Sequence, residues 1–222
     1  MKAITSGHIR LGLLAEGMPG ALIMSLMPAF RESFPQIRLT VQYSSHDQIE
    51  EELIADRMHF ALIYETRAND FLQTVSCGSL DFAAVASKNY VERRGPFDRE
   101  EQILLADWID LGEHLPLVSR WANASAKNLA AILAHVKPAV AVPNFHSALE
   151  LMLAGTGVAF LPRPMVANAL TDGRVVELKG GRTIPPKPLN LVYRRRNTRQ
   201  LYESLFLEHV MDHLPLGKNI PA

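Results

Sequence analysis

His209 and His213 stand four residues apart with Asp212 beside them, a spacing that puts two imidazoles on one helix face within reach of a divalent metal. No third ligand is placed by the spacing, so the pair reads as surface histidines and no metal is expected. Arg194, Arg195 and Arg196, with Arg199, form a basic cluster at the end of an apolar run. Its expected work is to neutralise nearby acids or to meet a second subunit. Cys77 is the single cysteine; with no resolving thiol it reads as a small apolar residue. Gly155-Thr156-Gly157 follows a helical stretch and precedes a strand, the reverse of a nucleotide-binding turn, which predicts a helix C-cap and no bound cofactor. Two helix starts carry more promise: Ser45-His46-Asp47-Gln48, which has the S-x-x-Q form of a capping box, and Asn144-Phe145-His146. Helix starts point free N–H groups and partial positive charge outward, a setting that suits carboxylates.

Composition narrows what such sites can serve. The 222 residues carry 23 Lys+Arg against 23 Asp+Glu, and a chain that grips phosphate backbones needs an excess of cations. Nucleic-acid binding by this chain alone is not expected. With 48% hydrophobic and 21% charged residues, the composition is that of a soluble globular chain. No run approaches the ~18 apolar residues of a membrane-spanning helix. The start, Met1-Lys2-Ala3-Ile4-Thr5-Ser6-Gly7, lacks the apolar core of a secretion signal, and one cysteine cannot make an internal disulfide, so a reducing cytoplasm is the expected setting.

The elements that must position these residues alternate. Ile9 to Leu14 reads as a strand ended by Gly17 and Pro19, and Leu22, Ile23, Leu26, Met27, Phe30 and Phe34 recur at helical spacing until Pro35. Leu39, Val41 and Tyr43 form a second strand, a helix follows Ser45, and Phe60 to Tyr64 is a short buried strand. This β–α–β rhythm predicts a parallel sheet covered on both faces, with a further strand at Phe82 to Ala86. After a polar, turn-rich break at Glu92 to Pro96 the rhythm begins again. Asp98-x-x-Glu101 predicts the cap of a short helix, Trp108 to Leu111 a strand, and Ser125 to His135 an Ala/Leu-rich helix. Ala139 to Val142 then reads as a strand, Phe145 to Ala154 as a helix, and Val158 to Pro162 as a strand. Val175, Leu178 and Leu189 to Tyr193 supply further strands, and a last amphipathic helix runs from Asn197, with a box-like Asn197-x-x-Gln200, to about Leu214. Two α/β lobes joined by strands that cross between them account for the break, with a ligand cleft at the carboxyl ends of the strands.

The segments Gly7-His8-Ile9-Arg10-Leu11-Gly12, Phe30-Arg31-Glu32-Ser33-Phe34-Pro35, Phe60-Ala61-Leu62-Ile63, Leu153-Ala154-Gly155-Thr156-Gly157-Val158-Ala159-Phe160-Leu161-Pro162 and Leu191-Val192-Tyr193-Arg194, in that order and spacing, resemble the effector-binding domain of LysR-type transcriptional regulators. The resemblance covers roughly residues 7 to 214. It implies an α/β, type 2 periplasmic-binding-protein-like fold of two subdomains, residues 8–84 with 192–222 and residues 85–191, holding a small-molecule effector in the cleft. It also implies a homodimer, a tetramer in the full-length protein, and DNA contact only through an N-terminal helix-turn-helix absent before Gly7. The stretch from Gly12 to Pro28 is long for that family's first loop and helix, which predicts a helix that starts late or bends. Ala15-Glu16-Gly17-Met18 stands where small hydroxyl residues are usual, so the family's anion pocket is not expected in its usual form.

On this frame the loops after the first three strands present Ala15, Glu16, Ser44, Ser45, His46 and Tyr64. The second lobe presents the loop from Gly112, then Asn144, Phe145 and His146, and then Pro162 and Arg163. Helix starts at Ser45 and Asn144 favour a carboxylate and Glu16 opposes one. The expected ligand therefore bears both an acceptor and a donor or cationic group, as an amino acid or another small carboxylate or amine does. Each residue also has a plain structural role open to it: Ser45 and Asn144 as caps, Glu16 as a solvated first-turn acid, Tyr64 as lobe packing. No nucleophile–base pair is placed, so catalysis is not expected. A transport-type solute-binding protein of the same fold and a two-lobed enzyme are the alternatives.

Overall fold

The computed structural model describes residues 6–14, 18–64, 69–112, 116–123, 135–178 and 186–214. Its contacts divide the described chain into two units, residues 6–79 with 188–214 and residues 80–187. The expected boundaries, 84/85 and 191/192, lie within strands β5 (Phe82–Ser87) and β10 (Lys187–Arg194).

The first unit begins with β1 (Gly7–Leu14), α1 (Met18–Ser33), β2 (Ile37–Ser44), α2 (His46–Ile54) and β3 (Phe60–Ile63). Parallel pairing sets Leu11 of β1 against Val41 of β2 and against Phe60 of β3. The sheet is not all parallel as expected, because β10 joins it antiparallel, Leu191 facing Leu62. Its order is β2-β1-β3-β10-β4, with β4 (Leu72–Leu80) at the far edge. β4 escapes a reading by hydrophobicity because an edge strand needs few apolar residues. Only Leu72, Cys77 and Leu80 of its nine are buried.

α1 starts at Met18, earlier than the late start expected, and continues through Pro28. An interior proline cannot donate to the carbonyl four residues before it. α8 (Leu201–His213) packs on this helix, and His209 Nε2 donates to the Leu26 carbonyl at 3.1 Å. Phe30, Phe206, Phe60 and Tyr193 meet ring against ring at 5.1–5.8 Å and fill the core of this unit. α8 begins four residues later than the Asn197 box predicts: Gln200 is the cap and makes no side-chain capping bond.

The second unit has the corresponding order β7-β6-β8-β5-β9. It comprises β5, α3 (Lys88–Arg94), α4 (Glu100–Leu104), β6 (Trp108–Asp110), α5 (Pro116–Asn123), β7 (Pro138–Ala141), α6 (Phe145–Leu153), β8 (Val158–Pro162), α7 (Arg163–Thr171) and β9 (Val175–Glu177). β6 is parallel to β7 and β8, whereas β5 runs antiparallel to β8 and β9. The expected break at Glu92 is instead the end of α3: its charged residues face solvent, and Gly95 ends the helix. α4 is capped by Arg99 and Gln102, not by Asp98 and Glu101, with Gln102 Oε1 accepting the N–H groups of Asp98 and Arg99 at 3.1 and 3.0 Å. α5 and α7 were not expected. The helix expected over Ser125 to His135 falls, but for its last residue, outside the described residues.

The Gly155-Thr156-Gly157 turn owes its residues to space and backbone angle. Gly155 sits at φ +81°, where a side chain is strained, and Arg93 Nη2 donates to its carbonyl at 2.8 Å. A Cβ on Gly157 would lie 2.0 Å from the Asp107 carbonyl oxygen, which accepts the Val158 N–H at 2.8 Å and sets β8 beside β6.

A buried charged network ties the first unit together at the other end of its strands. Arg10 N–H donates to His59 Nδ1 at 2.9 Å while His59 N–H donates to the Arg10 carbonyl at 2.9 Å. Glu203 Oε1, on α8, lies 3.7 Å from His59 Nε2 and 3.6 Å from Arg196 Nη1, and Arg196 also pairs with Asp56. Burial first, then the Arg10 and His8 charges, push His59 down to about 4. A histidine depressed in the folded state destabilises the fold as pH falls below about 6.5, because the unfolded chain takes up a proton that the folded one refuses until about 4. Urea unfolding followed from pH 7 to pH 4 is expected to lose about 3 kcal/mol to this residue. In His59→Gln that part of the slope should vanish; an unchanged slope contradicts the assignment.

Candidate functional site

In both sheets the first strand of the unit's β–α–β run lies between the second and the third: β2-β1-β3 and β7-β6-β8. The chain thus leaves the central strand for a neighbour on one side and crosses back to a strand on the other, and the carboxyl end of the strands at such a point is the usual ligand position in sheets of this kind. The candidate residues sort onto these two edges, one in each unit.

On the first unit's edge, β2 delivers Ser44, Ser45 and His46 in succession. Ser45 Oγ accepts the Gln48 N–H at 3.4 Å, and Gln48 Oε1 accepts from Ser45 N–H at 3.2 Å and from Ser45 Oγ at 3.1 Å, so the expected capping box is formed. His46 opens α2 with Nδ1 3.7 Å from Glu50 Oε1. Tyr64 directly follows β3, is buried, and its carbonyl accepts from Asn190 Nδ2 at 2.8 Å. Asn190 sits opposite Ile63 on β10 and fixes this end of β3; from sequence it was only one polar residue in an apolar strand. Ala15 and Glu16 lie outside the described residues.

On the second unit's edge the decisive group is Asp110, the last residue of β6, whose side chain is fully buried. Its Oδ1 accepts N–H groups from Leu111 at 2.6 Å and Leu117 at 3.0 Å, and its Oδ2 accepts from Val118 at 2.8 Å. Burial raises its pKa while these three donors work the other way. The carboxylate thus occupies the amino terminus of α5, where a ligand anion would otherwise be drawn. Asp110 had a sequence signal: an acid ending a strand six residues before Pro116, a proline in a helix-opening position. Gly112 follows at φ +90°, a conformation that favours glycine.

Asn144 Oδ1 accepts the Ser147 N–H at 2.9 Å, capping α6. Phe145 is buried against Phe82, ring centroids 5.9 Å apart, and His146 is exposed beside it. Pro162 is buried at the end of β8. Arg163 Nη2 and Nη1 donate to the Glu177 carboxylate at 2.6 and 3.3 Å, which raises the arginine's pKa. Arg120, which the sequence reading passed over, lies on α5 with its guanidinium carbon 4.7 Å from the centre of the Phe82 ring.

The other constellations are structural. His213 Nδ1 donates to the His209 carbonyl at 2.8 Å, and the two rings stack at 4.3 Å. No group of three or more metal-ligating side chains occurs among the described residues. Arg199 stacks on Tyr193 at 4.3 Å, and Cys77 is buried, its thiol pKa raised by that burial. A groove of about 980 Å³ lies elsewhere, along α1 and β2, lined by His8, Met24, Met27, Arg31 and Arg38 among others.

Two α/β units with matching strand orders, between which the chain passes twice, define a type 2 periplasmic-binding-protein-like fold. The chain belongs to the LysR substrate binding domain family, whose pattern it matches over residues 3–215. It is 23% identical over 192 residues to the HTH-type transcriptional regulator PtxR of Pseudomonas aeruginosa, an overlap of 86% of this chain and 60% of that protein. It thus spans about three-fifths of that relative's length. The regulatory domain of CrgA, a LysR-type transcriptional regulator from Neisseria meningitidis, superimposes with a TM-score of 0.78 at 22% identity, over 95% of this chain and 100% of that one. The regulatory domain of AphB from Vibrio vulnificus gives 0.73 at 14% identity, over 94% and 100%.

If Asp110 holds α5 to the end of β6, Asp110→Ala leaves three backbone donors without their acceptor and should cost about 2 kcal/mol in urea unfolding. Asp110→Asn, which keeps one acceptor oxygen, should lose less. Equal stability of Asp110→Ala and the parent protein would refute the role.

Proposed function

We propose that this chain is the sensing part of a LysR-type transcriptional regulator, binding a small metabolite through the residues at the carboxyl edges of its two sheets. The observation that carries the reading is the strand order. Both units place a switch point at the edge where Ser44, Ser45, His46 and Tyr64 stand in one unit and Gly112, Asn144, Phe145, His146, Pro162 and Arg163 in the other. Family membership supports it. Ala15 and Glu16 are proposed as further contributors from the loop after β1. The effector is a small molecule with a carboxylate, an amine or both, and it acts by binding one conformation of the domain more tightly than another. The regulator reads DNA through a separate N-terminal segment, works in the cytoplasm and has no catalytic activity. Family membership supports the last point. No helix among the described residues is long and apolar enough to cross a membrane.

The sensing unit is a homodimer, assembling to a tetramer in the full-length protein. The edge position of β2 supports self-association: among the described residues no strand pairs with its outward side, and Tyr43 on it is 55% exposed. Thermal unfolding with a panel of amino acids, amines and carboxylates tests the effector reading. A ligand at 100 times its Kd should add about 2.7 kcal/mol, and stabilisation by uncharged aromatics alone would overturn the proposed chemistry. Sedimentation of the isolated chain should show a dimer; a monomer at high concentration contradicts the assembly.

A further inference from the structure

We draw no further inference here: the strongest candidate, the groove of about 980 Å³ along α1 and β2 lined by His8, Met24, Met27, Arg31 and Arg38 among others, carries nothing, because nothing in the structure shows what covers it.

Discussion

Everything in this molecule depends on the antiparallel strands that complete its two sheets, β10 against β3 and β5 against β8. A parallel β2-β1-β3 run would otherwise end on β3, whose four residues are all buried and so cannot face water. β10 covers that strand and comes from far along the chain, while β5 does the same for the fully buried β8. The chain therefore leaves the first unit at 79/80 and returns at 187/188. That routing links the two α/β units by two passages of the chain.

The electrostatics of those ends follow from how helix termini are satisfied. Free N–H groups at helix starts must find acceptors, and here Ser45, Asp110 and Asn144 supply them from within the chain. Such capping stabilises the fold. Charged groups elsewhere are likewise committed: Arg196 and Glu203 to the network around His59, Arg199 to Tyr193. The chain as a whole carries equal numbers of acidic and basic residues, which fits a sensor of small molecules.

Much of this was legible in the residues. The capping box at Ser45, the cap at Asn144, the strands at Ile9, Phe60, Phe82 and Val158, and the glycine turn at 155–157 were readable because each is decided by local chemistry. What was missed depended on tertiary surroundings. β4 is polar because it lies at a sheet edge. α5 is held by a carboxylate six residues upstream, and the antiparallel direction of β5 and β10 is set by connections that periodicity does not record. Arg120 illustrates the same limit: its stacking on Phe82, distant in sequence, is a tertiary contact that periodicity does not record. Phe145 is buried against Phe82, a degree of packing that depends on a residue distant in sequence.

The central claim is that effector recognition belongs to the carboxyl edges of both sheets. Backbone hydrogen exchange, measured with and without a stabilising carboxylate, tests it residue by residue. Added protection is predicted at 44–46, 110–112, 118–121 and 144–146. Protection confined to the α1–β2 groove around His8, Met24 and Arg38, with those edges unchanged, would contradict it.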